Sequence, residues 1–333
     1  MKRYVLTISY IFLLFCAACA YAKDSIDVVY TWVDNNDMAW QFARKRAYKK
    51  FKNGAVDANS RMRFRNRDEL KYSLRSLYKF ANFVNHIYVV TCGQTPKWFK
   101  PHPKVTIVHH ETIFPNKGDL PTFNSHAIEC NLHRVPGLSE KYIYMNDDLF
   151  FAQVVGPNQF FDESGHMKIF LGHYKTPRGP VEKKENGWKA AWKNSNAFLD
   201  AHFVAEKRRG FHTAPFAFNK STVYKIEKTF PQVFKQVSAN HFRSRRCCTM
   251  TNGFIPYVAW YWKQATPDTI RHKTIFFHAS LKENRAALAS IKKEKLTSFG
   301  VEDMSAKNSL ELDALLHDFL ESSFPEKAPW EKD

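Results

Sequence analysis

Asp147 and Asp148 follow the short apolar, strand-favouring run Tyr142-Ile-Tyr-Met145, and the chain turns apolar again at Leu149. Two adjacent carboxylates among apolar residues are costly to bury unless a cation meets them. Ligands of open α/β sheets sit beyond the carboxyl ends of strands. A strand that ends Asn146-Asp-Asp148 is therefore placed to hold a divalent cation together with a diphosphate. The same letters also spell an ordinary Asx-rich turn. The pattern recurs at the first apolar run, Ile26–Val33, which leads directly into Asp34-Asn-Asn-Asp37.

Cationic and imidazole groups accompany these acids. Arg61–Arg67 holds four arginines among seven residues. Arg65 stands at a helix mouth, where it can meet a phosphate. Asn66 and Glu69 have capping-box spacing. Leu70, Leu74, Leu77 and Ala81 then mark one face of the helix, with Arg75 just off it. Asn124 and His126 open another helix. His212 is a lone imidazole in the loop expected over Phe211–Lys220, either a satisfied core group or a base. His109, His110 and Glu111 close a strand, but successive strand residues face opposite ways, which argues against one shared ion.

These groups need a frame. Strands are expected at Ile26–Val33, Asn85–Thr91, Lys104–Val108 and from Lys141, with helices after Asn66 and around Ile128 and Leu132. That order predicts a Rossmann-like α/β fold with a mostly parallel sheet. Between them lie a basic helix over Trp40–Lys52 and a flexible loop over Asn53–Ser60. After Gln153 the reading is mainly helical: Trp188–Phe203, Thr222–Ser238 broken at Pro231, Phe254–Trp262 and Leu310–Leu320. Gln159–Phe170 reads as irregular, and Ile275–His278 as a last strand.

Composition sets limits. With 29 Phe, 14 Tyr and 44% hydrophobic residues, the 333-residue chain is globular and not disordered. A formal charge of +18 suits phosphates, nucleotide sugars, acidic glycans, nucleic acid or anionic membrane. Lys2 and Arg3, an apolar Tyr4–Ala18 and the small-x-small site Ala20-Tyr-Ala22 read as a signal peptide over 1–22, hence export to a secreted, periplasmic or lumenal location. An uncleaved, membrane-associating N-terminus or a cytoplasmic protein are the alternatives. Cys92, Cys130, Cys247 and Cys248 allow three disulfide pairings; buried free thiols are expected for Cys92 and Cys130.

Several motifs together resemble the Stealth family, sugar-1-phosphate transferases that include bacterial capsule polymerases and the lysosomal-enzyme N-acetylglucosamine-1-phosphotransferase. They are Ile26–Asp34, Arg63–Ser76, His86–Thr91, Leu120–Ile128 and Tyr142–Asp148. His212, Asn219-Lys220 and Phe242-Arg-Ser244 resemble the third region of that family, and Ser298–Glu331 the fourth. The chain departs from the pattern at Glu302-Asp303, where Asn-Asp is usual, at Cys247, where an acid is usual, and at Asp34-Asn35, where Asp-Gly is common.

The resemblance implies a fold like the A-type glycosyltransferases in a single phosphotransferase domain over 23–333. Residues 23–153 would form its nucleotide-sugar half and 154–333 its catalytic and acceptor half. It implies Mg²⁺ or Mn²⁺ held by Asp147, Asp148 and Asp303. Asp148, His212 and Arg243 would be catalytic, with Asp148 an alternative acid–base group to His212. Substrate contacts would fall on Asp34, Asp37, Arg65, Glu69, Arg75, Asn124, His126, Asn146 and Lys220. The implied donor is a nucleotide sugar, UDP-linked, and the acceptor a hydroxyl on a glycan or glycoprotein, with no nucleic-acid partner. The rival readings are a glycosyltransferase releasing nucleoside diphosphate and a non-catalytic basic glycan-binding module.

Overall fold

Ile26–Thr31 (β1) is buried along almost its whole length, so both its faces must be covered, as in parallel α/β sheets. In the computed structural model, which describes residues 25–51, 54–304 and 309–332, β1 lies at the centre of a five-stranded sheet. The expected leader, residues 1–22, lies outside the described residues, as do Lys52 and Asn53. Val84–Thr91 (β2), Val105–His109 (β3) and Lys141–Asn146 (β4) join β1 in parallel. Leu149–Phe151 (β5) turns away from this sheet, and Met167–Lys175 (β6) and Arg209–Phe211 (β7) pair elsewhere. Phe216–Asn219 (β8) returns antiparallel to β4 and completes the order β3-β2-β1-β4-β8. The mostly parallel α/β architecture expected from the sequence is present. Ala265–Asp268 (β9) extends a second sheet, β7-β6-β9, while His272–Phe277 (β10) and Ser298–Asp303 (β11) form a third with β5.

Helices cover these sheets. Met38–Lys50 (α1) and Glu69–Phe80 (α2) belong to the N-terminal half. Gly187–His202 (α3), Lys220–Thr229 (α4), Pro231–Ser238 (α5), Ile255–Tyr261 (α6), Leu281–Lys293 (α7) and Leu310–Ser323 (α8) make the C-terminal part helical. Pro231 opens α5 in its first turn, where a missing N–H is harmless. Among the described residues no helix is long and apolar enough to cross a membrane.

Local differences from the sequence reading have clear causes. Phe211–Lys220 is not a loop throughout: β8 pairs with β4, and Tyr142 and Tyr144 stack on Phe218 and Phe216. Such cross-strand aromatic pairs stabilise a strand too short to be read by period alone. The irregular reading of Gln159–Phe170 gives way to β6 at Met167, because β6 is paired on both sides by β7 and β9. Asn66 and Glu69 do not form a capping box. Asp68 enters α2 with φ 62°, so Asn66 Oδ1 accepts from Asp68 N and Glu69 Oε2 from Arg67 N. The four cysteines among the described residues are free thiols; Cys130, Cys247 and Cys248 are buried and Cys92 is half-buried.

Arg75 is the clearest case of a residue whose surroundings the sequence hides. Its Nε and Nη2 donate to the Glu331 carboxylate, and Nη1 donates to Glu321 and to the Phe324 carbonyl at 2.8 Å. Arg75 and Glu331 are both buried. The pair therefore ties α2 to the C-terminal segment instead of facing a substrate. Breaking a buried pair strands the other charge, so Arg75→Ala is expected to lower the unfolding free energy by about 3 kcal/mol in urea titrations. Lost turnover with unchanged stability would instead return Arg75 to the substrate.

Candidate active site

The parallel register places the C-terminal ends of β1 and β4 together, Thr31 opposite Asn146. Beyond that edge Asp147 and Asp148 form the turn between β4 and β5. The turn is held from below by α2. Ser73 Oγ donates to the Leu149 carbonyl, and Phe151 N donates to Ser76 Oγ at 3.0 Å. From the side, Val301 N donates to the Asp148 carbonyl at 3.1 Å, joining the turn to β11. A Cβ at Gly300 would stand 2.9 Å from Leu149, so glycine permits this close pairing. The two aspartates are thus fixed by three elements.

Their electrostatics are unusual. Asp148 Oδ1 is sealed from solvent and has no hydrogen-bond partner. Burial raises the Asp148 carboxyl well above the carboxylate range, and Asp147, Glu302 and Glu69 add to the effect. Asp147 is raised by burial and then by Glu69. Glu69 and Glu302 are themselves raised by burial, against the opposing pull of Arg67 on the first and of Thr213 and Arg243 on the second. Four carboxyl groups converge without enough positive charge to balance them. An orphaned carboxylate oxygen in such a cluster fits a divalent cation. Among the described residues no set of three or more His, Cys, Asp or Glu is arranged to hold a metal. Asp303 keeps different company: its Oδ1 accepts from Arg65 at 3.2 Å and from Arg67 at 2.8 Å.

His212 reaches this end of the sheet through the antiparallel run of β8. Phe216 lies opposite Tyr144, so a residue preceding β8 falls beside the Asn146 end of β4. His212 N donates to the Phe170 carbonyl at 2.9 Å. Burial, then His173 and Arg209, push its imidazole below the ordinary value, which leaves it neutral at pH 7 and able to accept a proton. His272 stands 6.0 Å away, centroid to centroid, pinned by Ser298 and Thr274. Thr213, next to His212, hydrogen-bonds Glu302, which links this loop to the acidic cluster.

Positive charge comes from the segment around Arg243. Arg243 Nη2 donates to Ser125 Oγ at 2.7 Å, and the Arg243 carbonyl accepts from Ala55 N. Burial and then Arg63 push the Arg243 guanidinium down to about 10, and it still bears on Glu302. His126 is buried with Nδ1 unpartnered, kept neutral by burial and by Arg243 and Arg63. Asn124 holds the 240–247 segment, donating to the Asn240 carbonyl at 3.0 Å and to Cys247 Sγ at 3.4 Å.

The remaining expected contacts divide by position. Asp34 accepts from Asn66 at 3.2 Å, and Asp37 caps α1 and accepts from Gln94, both just beyond β1. Asn146 accepts from the Tyr144 hydroxyl at 2.7 Å, on the rim of the acidic pair. Glu69 lies among the acids and Arg65 beside Asp303. Lys220 lies at the other end of β4, where Asn219 faces Lys141 and the lysine Nζ donates to the Leu138 carbonyl. Sequence reasoning passed over Glu302, Thr213 and Ser125 as site residues. Glu302 had a legible signal, an acid closing an apolar run just as Asp147 does; Thr213 and Ser125 had none.

Residues 63–169 match the family model described as Stealth protein CR2, conserved region 2. An exopolysaccharide phosphotransferase of Streptomyces coelicolor is 39% identical over 263 residues, which are 77% of this chain and 44% of that protein. A second from the same organism is 34% identical over 310 residues, 92% of this chain and 57% of that protein. Exopolysaccharide phosphotransferase CpsY of Mycobacterium tuberculosis is 32% identical over 314 residues, 92% of this chain and 58% of that protein. The chain spans about half the length of these curated relatives. Among solved structures, the galactosyltransferase LgtC with donor and acceptor sugar analogues superposes at a TM-score of 0.43 with 10% identity, covering 91% of this chain and 98% of that one. That likeness is too slight to bear on the site. The chain carries the second conserved region of the Stealth proteins, and the Stealth resemblance of its motifs is borne out.

Neutralising one of the clustered carboxyls tests the cation. Asp148→Asn is expected to weaken Mn²⁺ binding at least about 10-fold in titration calorimetry, with a melting temperature equal to or above that of the parent, because like-charge repulsion falls. Unchanged Mn²⁺ affinity would remove Asp148 from the ligand set.

Proposed function

We propose that this chain transfers sugar-1-phosphate from a nucleotide-diphosphate sugar to a hydroxyl of a glycan acceptor and releases nucleoside monophosphate. One observation carries the reading. A neutral imidazole, a guanidinium and a cluster of under-balanced carboxylates share one end of a parallel sheet. Phosphoryl transfer needs these three kinds of group. The names of the relatives, exopolysaccharide phosphotransferases, support the same class of reaction.

His212 takes the proton of the acceptor hydroxyl, whose oxygen forms a bond to the donor's β-phosphorus. The bond from that phosphorus to the α–β bridging oxygen breaks, and its electron pair leaves with the nucleoside monophosphate. Arg243 lies where it can meet the equatorial oxygens, on which charge is spread in the transition state. Mg²⁺ or Mn²⁺ held by Asp147 and Asp148 would supply positive charge to the diphosphate. A UDP-linked donor and delivery of the chain to an exported compartment belong to the same proposal, the latter on the leader-like residues 1–22.

The released nucleotide decides the reaction. Purified protein with a donor panel and Mn²⁺ is expected to release nucleoside monophosphate; release of diphosphate would identify a glycosyltransferase. His212→Ala and Arg243→Ala are each expected to lower kcat at least about 100-fold at a near-normal melting temperature. If His212→Ala unfolds the protein and its folded fraction keeps full activity, His212 is a core group.

The pH profile follows from the same imidazole. Because the folded pKa of His212 is depressed from 6.5, the neutral base persists at pH 7 and is lost only on acidification. The acid limb of kcat/KM should therefore fall below pH 6.5 and be missing from the residual activity of His212→Gln. An unaltered acid limb in that variant would assign it to another group.

A further inference from the structure

The outer face of α1 takes no part in the chemistry above. Its 13 residues include Arg44, Lys45, Arg46, Lys49 and Lys50 and no acid. The inner face packs Trp40 and Ala47 against Phe64, Phe123 and Phe242. Phe123 precedes Asn124 and Ser125, and Phe242 precedes Arg243, so α1 backs the wall that carries the site's guanidinium. Outward, Met38 and Phe42 are 71% and 69% exposed. Lys45, Arg46 and Lys49 are exposed three, four and seven residues after Phe42 and therefore share its face. None of these three is paired with a carboxylate among the described residues.

This face begins beside the acidic end of β1. α1 starts at Asp37, in the loop that leaves the C-terminal end of β1 beside Asp34 and Gln94. From Met38 to Lys49 it runs about 16 Å along the helix. Past its end Phe51 stacks on His241 at 3.6 Å, and Arg245 and Arg246 are exposed on the same basic segment as Arg243. Cations and exposed apolar side chains thus lead from the rim of the site outward.

We propose that the outer face of α1, continued by Arg245 and Arg246, docks the growing phosphodiester-linked glycan on which the cleft acts. The proposal rests on the function proposed above. Each transfer of sugar-1-phosphate to a hydroxyl leaves one phosphodiester and one negative charge, so repeated transfer onto the same glycan makes a polyanion with sugar rings between its charges. Unpaired cations complement the phosphodiesters, and the Met38–Phe42 surface packs on the rings. A bare apolar groove would lack the first property, and a merely solvated basic helix the second.

The test uses the full chain with poly(ribitol phosphate), uncharged dextran of similar length, and phosphatidylglycerol vesicles. Wild type is expected to bind the phosphate polymer in a salt-dependent way and to ignore dextran. The triple variant Lys45→Glu, Arg46→Glu, Lys49→Glu is expected to lose at least about 10-fold in affinity. A control triple with the same change in net charge, Lys228→Glu, Lys235→Glu, Lys282→Glu, is expected to lose less than about 3-fold. Equal losses in the two triples, an α1 triple that binds as wild type, or wild-type preference for the vesicles over the polymer would each overturn the proposal. Nucleoside monophosphate release with a single-sugar acceptor should persist in the α1 triple. Its absence in wild type would sink the reaction proposed above while leaving the binding result to stand alone.

Discussion

Burial of like charge at the end of β4 is the constraint around which the rest is arranged. Asp147, Asp148, Glu69 and Glu302 come from the sheet edge, the first turn of α2 and the end of β11, and each raises the others or is raised by burial. Such a cluster destabilises the chain that builds it. It persists because neutral, well-packed structure over-determines the backbone around it: Ser73 and Ser76 pin β5, and Gly300 lets β11 close against Leu149. A cation together with an anionic substrate would relieve the repulsion, which couples binding to the stability of the site.

The positive side of the site is built differently. Arg243 sits on an irregular segment, held by its guanidinium on Ser125, by Ala55 N on its carbonyl and by the α1 cluster behind Phe242. Arg63, itself paired with Asp57, lowers it further, while Glu129 and Asp57 pull the other way. Arg243 bears on Glu302, which couples the cationic wall to the acidic one. A ligand that carries both a metal-binding diphosphate and further phosphate charge would satisfy both walls at once.

Much of this was legible in the sequence. The apolar runs Ile26–Val33 and Tyr142–Met145, each ending in acids, determine two strands of a mostly parallel sheet with carboxylates at their carboxyl ends, because strand period and burial leave few other arrangements. Pro231 dictated the break between α4 and α5, since a proline ring cannot continue a helix. Tertiary structure alone decided the rest, and the reason is that side-chain environment depends on partners far away in sequence. Arg75 resembles any helical arginine until Glu331 closes over it, and Asp303 resembles a metal ligand until Arg65 and Arg67 reach it. Lys220, beside the site by motif, lies at the far end of β4 because β8 runs antiparallel. Thr213, silent in the linear chain, and Glu302, marked only as an acid closing an apolar run, meet because β11 pairs with β5 and the β7–β8 loop brings Thr213 onto Glu302, contacts that no local pattern encodes.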